Sequence, residues 1–470
     1  MSLYIVASFS SLQEKTNNSE ELTFKERISI IESIGEAVNK NKDKLIKSIS
    51  GDFGYRSKDE TLLFEFFSIS ESIKYIKKNL HSWMKPKHTS VSSWFFPGRA
   101  FIKYQPLGII GISVPWNYPL YLSIIPLISA IAAGNRVMLK MSRHTVRTTK
   151  LLNYLISLNN LSDYIVIVKG GINDDIVFSS LPFDHHFFTG SSETGKKVMR
   201  AAADNHTPVT LELGGKSPVF IAPFYSGLQN AAKSVVWGKM INAGQTCIAP
   251  DFVLIPVNRV NDFIDKIKSA MNIFYPTSQD SQDYSSIYHD YDIERLDSYI
   301  HDAIHHGLDV VRIAPGNESV ESLRLKGKLP LTLIINPAPE NKVMQEEIFG
   351  PLLPIIEYEN IETAISMMKN TPLSMYIFCD DINLTNDIIK KTRSGSVTVN
   401  DTLLHVTQES LPFGGIRTSG CGYYHGHAGF LNFSHQRSIF IQRGINLKSL
   451  ITPPYSRFFF RLILKLMLKK

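Results

Sequence analysis

Between residues 109 and 190 short apolar runs alternate with longer stretches of helical length, and this alternation limits the fold more than any other property of the chain. IIGISVP from 109 is a continuous apolar run, YLSIIPLISAIAAGN reads as a helix that ends at Gly134, VMLK follows as the next strand, and YIVIVKG at 164–170 and HHFFTG at 185–190 repeat the pattern. Continuous apolar runs of this length fit strands buried on both faces, and the stretches between them are long enough for the crossover helices that parallel neighbours need. A layered parallel α/β unit is the expectation. A second set of runs lies between about 213 and 400, with PDFVLIPV at 250–257, LTLIINP at 331–337, LLPIIEY at 352–358 and SMYIFCD at 374–380. It predicts a second α/β domain, and 470 residues exceed what one core usually serves. Upstream, Thr23-Phe24-Lys25-Glu26 has the form of a capping box, and Phe24, Ile28, Ile31, Ile34 and Val38 then recur near helical spacing. A further helical region is expected around 60–83, followed by strand and turn composition at 85–108.

Two loops carry the chemistry. VTLELGGKSP at 209–218 sets a carboxylate at Glu212 and NAGQTCIAP at 242–250 sets a thiol at Cys247, each beside glycines that allow close backbone approach. A thiolate traps an electrophilic carbonyl as a covalent adduct, and a carboxylate then activates the water that releases it. Alone, Cys247 reads as a small buried apolar residue, which most free cysteines are. Cys379, in the apolar run MYIFCD, reads as core, and Cys421, in SGCGYYHG, has no base beside it. Three cysteines at irregular spacing form neither a metal quartet nor a disulfide framework, which points to a reducing compartment. His405, His425 and His427 lack metal-ligand spacing, and no metal site is expected. The first residues lack the basic and apolar regions of a secretory signal, so a cytoplasmic protein is expected. The net charge of +7 gathers at 457–470, where Arg457, Arg461, Lys465, Lys469 and Lys470 meet no acid. It is no argument for nucleic acid, and no nucleic-acid-binding motif accompanies it.

The words PWNYPL at 115–120, GNRVMLK at 134–140, FTGSSETG at 188–195, LELGGKSP at 211–218, GQTC at 244–247, EEIFGP at 346–351 and LPFGGIRTSGCGYYHG at 411–426 resemble, in order, those of the aldehyde dehydrogenase superfamily. GDFGYRSKDETLLFE at 51–65 and FFPGRA at 95–100 resemble its class 3 and coniferyl-aldehyde dehydrogenase branch. The resemblance implies an α/β fold with a Rossmann-type cofactor domain, an α/β catalytic domain and a small oligomerisation element. Their expected extents are 1–84 and 105–212 for the cofactor domain, 213–400 for the catalytic domain, and 401–429 for a return to the cofactor domain that closes the active site. The oligomerisation element is expected at 85–104 and 430–445, and a basic amphipathic tail at 446–470.

The implied reaction oxidises an aromatic or aliphatic aldehyde to a carboxylic acid with NAD or NADP as cofactor. By resemblance Cys247 forms a thiohemiacetal and then a thioester, the Asn117 side chain and the Cys247 N–H stabilise the oxyanion, and Glu212 activates water. By the same resemblance Gly190, Ser191 and Gly195 serve the phosphates, Lys140 the adenine ribose, and Glu347 and Phe349 the nicotinamide ribose and ring. Without it, Asn117 has the lesser alternative of an Asx turn, Lys140 that of a solvated strand-end lysine, and the 190–195 glycines read equally as a turn. Where the family has Pro-Ser-Glu after the ribose lysine, this chain has Met141-Ser142-Arg143. Arg143 offers positive charge and five donors to a 2′-phosphate, so use of NADP is expected, with NAD the ordinary cofactor if Arg143 turns outward. A CoA-acylating dehydrogenase is the enzymatic alternative and a lipid or protein interaction module the non-enzymatic one.

The resemblance implies an aldehyde as small-molecule partner and, because the strand-like regions near 87–104 and 430–443 resemble the family's oligomerisation parts, a homodimer; the alternative is that both regions are covered within one chain. RFFFRLILKLMLKK at 457–470, after Pro453-Pro454, is a short basic helix with no uncharged run near the about 20 residues of a bilayer span. Its two readings are weak peripheral contact with a membrane surface and docking on the enzyme near a substrate entrance.

Overall fold

A computed structural model describes residues 2–92, 95–277, 281–314, 318–444 and 452–468. Parts of the expected tail, 446–451 and 469–470, lie outside the described residues. In chain order the strands are β1 (Lys87–Thr89), β2 (Arg99–Pro106), β3 (Ile109–Ser113), β4 (Arg136–Met141), β5 (Ile165–Lys169), β6 (His185–Gly190), β7 (Val209–Leu213) and β8 (Pro218–Ile221). They continue with β9 (Phe252–Pro256), β10 (Val310–Ile313), β11 (Leu331–Ile335), β12 (Leu352–Tyr358), β13 (Ser374–Phe378), β14 (Ser396–Val399), β15 (Gly420–Cys421) and β16 (Ser434–Ile441).

Three sheets organise them. The first has the order β15-β7-β6-β3-β4-β5, and its strands are parallel except for the short β15. The chain steps outward from β3 through β4 to β5, then returns to place β6 on the other side of β3. That reversal is a topological switch point, where open α/β sheets bind ligands beyond the carboxyl ends of their strands. The second sheet, β10-β11-β12-β9-β8-β13-β14, is parallel apart from β10 at its edge. β3, β4, β9 and β13 are buried along their whole length, as largely apolar strands of a covered parallel sheet are, and in β4 this includes Arg136 and Lys140. The third sheet is the antiparallel ribbon β1-β2-β16. β2 runs on to Pro106 and so crosses the 104/105 boundary expected from the sequence.

The N-terminal helices brace the first sheet. Phe24–Lys40 begins with the capping box, Thr23 Oγ1 accepting from Glu26 N at 3.3 Å while Glu26 Oε2 accepts from Thr23 N at 2.7 Å. It buries Ile30, Ile31, Ile34 and Val38, and its Arg27 donates to the Ala132 carbonyl at 2.9 Å. Ala132 is the last residue of the helix Tyr121–Ala132, so Arg27 satisfies a helix-end acceptor. The expected helix around 60–83 is interrupted: α-helix covers Lys58–Thr61 and Ser68–Trp83, with a π-helical turn at Leu62–Phe67 between them. A hydrophobic cluster that joins both large sheets, from Ile110 and Leu127 to Val253 and Ile377, forms the main core.

Candidate active site

A cleft of about 510 Å3 lies where the first and second sheets meet, and Asn117, Glu212, Cys247, Glu347 and Phe349 all border it. Its size is that of a small-molecule site. Gly190, Ser191 and Ser192 line the same cleft, as do Trp116, Phe413 and Tyr424.

Asn117 lies in the loop between β3 and the helix Tyr121–Ala132. Its carbonyl accepts from Arg56 Nη1 at 2.9 Å and from Asn242 Nδ2 at 3.2 Å, and its own Nδ2 donates to the Gln245 carbonyl at 3.1 Å. A primary amide carries two N–H donors, so one remains after that bond. Beside it, Tyr118 Oη and Thr246 Oγ1 are 2.7 Å apart. Trp116 packs tilted on Tyr288, ring centroids 4.5 Å apart, and edge-on to Phe349 at 5.7 Å.

Cys247 follows the helix Leu228–Met240 through a tight turn. Asn242 and Ala243 have φ of 50° and 52°, and Gly244 follows at 77°. Two non-glycine residues in the left-handed region are held by their surroundings. Gln245 supplies much of the hold: its Nε2 donates to the Asn242 and Ser286 carbonyls at 2.9 and 3.0 Å, and its Oε1 accepts from Tyr288 N at 2.8 Å. Gly244 is needed twice, for its φ and because the Gly350 carbonyl occupies the place of a Cβ. Burial, followed by the negative charges of Glu347 and Glu212, pushes the Cys247 thiol up to about 12.

Glu212 points from β7 into the protein, 3% exposed, and neither carboxylate oxygen has a hydrogen-bond partner. Its strand neighbours are Thr189 of β6 and Gly420 of β15. Burial holds its carboxyl well above the usual carboxylate range. Glu347 lies over Gly214, where a side chain would collide with its carboxylate. Its carboxyl is raised to about 8 by burial and then by Asp251. Asp251 also accepts from Ile348 N at 3.0 Å, while Lys216 pairs with Asp251 and donates to the Val343 and Glu346 carbonyls at 2.8 and 3.0 Å. Phe349 then turns into the cleft with φ 48°.

At the other end of the cleft β6 stops at Gly190, and Ser191 caps the helix Ser192–Ala203 by accepting from Thr194 N at 3.4 Å. The free N–H groups of such a first turn suit a pyrophosphate. Gly195 does not line the cleft; it is the point where this helix packs against the Leu213 side chain. Lys140, at the carboxyl end of β4, forms an ion pair with Asp175. Arg143 is exposed and donates through Nε to His144 Nε2 at 3.1 Å. Neither Lys140, next to last in β4, nor Arg143, just past that strand, lines the cleft. The residues present fit a dinucleotide: a helix N-terminus, a switch point and a carboxylate over a glycine lie along one cleft.

The other thiols are differently placed. Cys379 is buried at the end of β13 and donates to the Asp381 carbonyl at 3.2 Å, and Cys421 lies 3.8 Å from the Val209 carbonyl on the edge strand. Among the described residues no group of three or more His, Cys, Asp or Glu side chains is arranged to hold a metal ion. Sequence reasoning passed over Arg56, Glu60, Glu65, Asp292 and Arg295. The first three stand in GDFGYRSKDETLLFE among further charged residues, Asp52, Lys58 and Asp59, and nothing local sets them apart from those neighbours.

The aldehyde dehydrogenase family matches residues 7–439, so the chain belongs to that family. It is an NAD(P)+-dependent enzyme that oxidises an aldehyde to a carboxylic acid. A probable coniferyl aldehyde dehydrogenase of Pseudomonas aeruginosa is 43% identical over 447 residues, covering 94% of this chain and 92% of its own. A dimeric NADP-preferring aldehyde dehydrogenase of Rattus norvegicus is 33% identical over 437 residues, covering 92% and 94%. The substrate-bound AldH of Staphylococcus aureus superposes with a TM-score of 0.92 at 33% identity over 98% of this chain and 99% of its own.

Proposed function

We propose that Cys247 is the nucleophile, Asn117 with the Cys247 N–H the oxyanion donors, and Glu212 the base for hydrolysis. The observation that carries this reading is a buried carboxylate with neither oxygen satisfied, bordering the same cleft as a half-buried thiol. A buried unsatisfied carboxylate is costly, and a role in proton transfer explains its retention. The raised thiol rests protonated and loses its proton to solvent as the thiolate forms, which leaves Glu212 free to act in the hydrolytic step. The thiolate adds to the aldehyde carbon, and negative charge on the carbonyl oxygen falls to the second N–H of Asn117 and the backbone N–H of Cys247. The bound dinucleotide supplies the two-electron acceptor for oxidation of this carbon. Glu212 then removes a proton from water as it attacks the thioester, and the Cys247 thiolate leaves with release of the acid. Glu347 and Phe349 hold the nicotinamide end, Gly190 and Ser191 the phosphates, with Gly195 allowing the helix to pack closely enough. Lys140 and Arg143 serve the adenosine end, Arg143 favouring a 2′-phosphate. Replacing Cys247 with Ala tests the core of this scheme: NAD(P)H formation from aldehyde is abolished, and unchanged turnover refutes it.

The aromatic wall of the cleft and the kinship with a probable coniferyl aldehyde dehydrogenase support an aromatic or apolar aldehyde. Initial rates with coniferaldehyde, benzaldehyde, hexanal and decanal decide between those classes. The exposed ribbon β1-β2-β16, with Phe440 52% exposed, supports a homodimer formed through that sheet. A monomeric mass by light scattering at micromolar concentration counts against it. Among the described residues no helix is long and apolar enough to cross a membrane. The helix Phe458–Leu468 leaves Phe458, Phe459, Leu466 and Leu468 exposed between basic residues, which supports a cytoplasmic enzyme with weak contact to an anionic membrane surface.

A further inference from the structure

The loops that carry Asn117 and Cys247 are both gripped from behind by one charged segment to which the chemistry above assigns no part. Arg56 and Glu65 form an ion pair at 2.9 Å with both side chains fully out of solvent. The same Arg56 nitrogen donates to the Asn117 carbonyl at 2.9 Å, and the guanidinium lies 4.5 Å above the Tyr118 ring. The second oxygen of Glu65 accepts from the N–H groups of Leu120 and Tyr121 at 2.7 and 3.0 Å. The loop is therefore bonded at Asn117 and again at its exit into the helix.

Glu60, from the same segment, holds the other loop. Its two oxygens lie 3.1 and 3.2 Å from Asn242 N, and it also accepts from Ser285 Oγ at 2.7 Å. Asn242 is the first of the left-handed residues that lead to Cys247. The two grips meet directly, since Asn242 Nδ2 and Asn117 Nδ2 both donate to the Gln245 carbonyl at 3.1 Å. The π-helical turn at Leu62–Phe67, a form enriched at functional sites, contains Glu65 and follows Glu60 closely. A buried ion pair is by itself a poor source of stability, and apolar replacements often do as well. What this one fixes in place is the better reason for its presence.

We infer that Arg56, Glu60 and Glu65 are positioning residues, a single charged strap that fixes the Asn117 carboxamide against the turn bearing Cys247. The inference rests on the roles proposed for Cys247 and Asn117. Glu60→Ala is the first test, because Glu60 borders a surface cavity of about 290 Å3 where water can replace the lost carboxylate. Folded Glu60→Ala protein is expected to bind NAD+ within about twofold of the native Kd and to be alkylated once at Cys247 by iodoacetamide, while kcat falls about 10- to 100-fold, the scale of a misplacement near 1 Å. Glu60→Gln, which keeps an acceptor for Asn242 N, recovers much of that loss. Native kcat in folded Glu60→Ala, no recovery in Glu60→Gln, or a fall in kcat matched by loss of NAD+ affinity overturns the strap. If Glu60→Ala does not fold, Arg56→Lys carries the same criteria, since it keeps the buried charge and loses the planar fork. Cys247→Ala run in parallel separates the two ideas: turnover surviving there overturns the catalytic reading, whereas native turnover in Glu60→Ala overturns the strap alone.

Discussion

Adjacent glycines in LELGG offer a sharp contrast. A methyl group at Gly214 would sit 2.6 Å from the Glu347 carboxyl carbon and 2.9 Å from Oε1, whereas the nearest atom to a methyl at Gly215 is Leu373 N at 3.4 Å. Oε2 lies closer still, and ordinary contact begins near 3.4 Å, so Gly214→Ala must drive the Glu347 carboxylate or its own loop back by more than the about 0.8 Å that the carboxyl carbon alone would require. Glu347 has little freedom to yield, because Ile348 is bonded to Asp251 and Lys216 holds the Glu346 carbonyl. Displacements near 1 Å in a reacting constellation cost on the order of 100-fold, or about 2.7 kcal/mol. We expect Gly214→Ala to lower kcat/KM by about that factor and to weaken NAD+ binding, while Gly215→Ala stays within about threefold of the native enzyme. The two variants are compared by initial rates and by quenching of tryptophan fluorescence on NAD+ titration, with thermal melting as the check on folding. Equal behaviour of the two, in either direction, refutes the assignment of Glu347 to the cofactor cleft.

Glu212→Gln is expected to give a burst of NAD(P)H near one equivalent followed by turnover slowed about 100-fold or more in stopped-flow assays. In the native enzyme the carboxylate must be ionised to act, and its folded pKa is raised, so thioester hydrolysis increases with pH through a window above the usual carboxylate value; that rising limb disappears in Glu212→Gln. Arg143→Ala is expected to weaken NADP+ binding about tenfold by calorimetry with NAD+ little changed, since a charge-assisted bond to phosphate contributes roughly 1.5–3 kcal/mol; equal effects on both cofactors remove Arg143 from 2′-phosphate recognition. Deleting residues 457–470 is expected to abolish sedimentation with vesicles rich in phosphatidylserine, and unchanged sedimentation excludes the tail as the contact.

The architecture was legible where one local pattern sufficed. Largely apolar runs became β3, β4, β9 and β13, and the Thr23–Glu26 spacing became a capping box, because both depend on neighbours only a few residues apart. Asn117, Glu212 and Cys247 stood out by their motifs, and one cleft brings them together. What stayed hidden depends on partners far along the chain. Lys140 reads as a free lysine until Asp175 is set beside it, 35 residues on. Arg56 meets Asn117 across 61 positions and Glu60 meets Asn242 across 182, and nothing local announces either meeting. The π-helical turn was invisible for another reason: its apolar spacing differs too little from that of the flanking α-helices.

β15 is only two residues long, yet it sets the order in which the enzyme is completed. Gly420 pairs with Glu212 and Cys421 with Leu211, closing the edge of a sheet whose other strands were all made before residue 214. About 200 residues separate the two partners, which at common rates of synthesis is roughly 10 to 40 s. Through that interval β7 waits with an open edge, and the carboxylate it bears has no roof. The thiol emerges early and the closing strand late, so a nascent chain carries its reactive groups well before it carries the enclosure that disciplines them. Until residues 420 and 421 have been made, the strand that bears Glu212 lacks its outer neighbour.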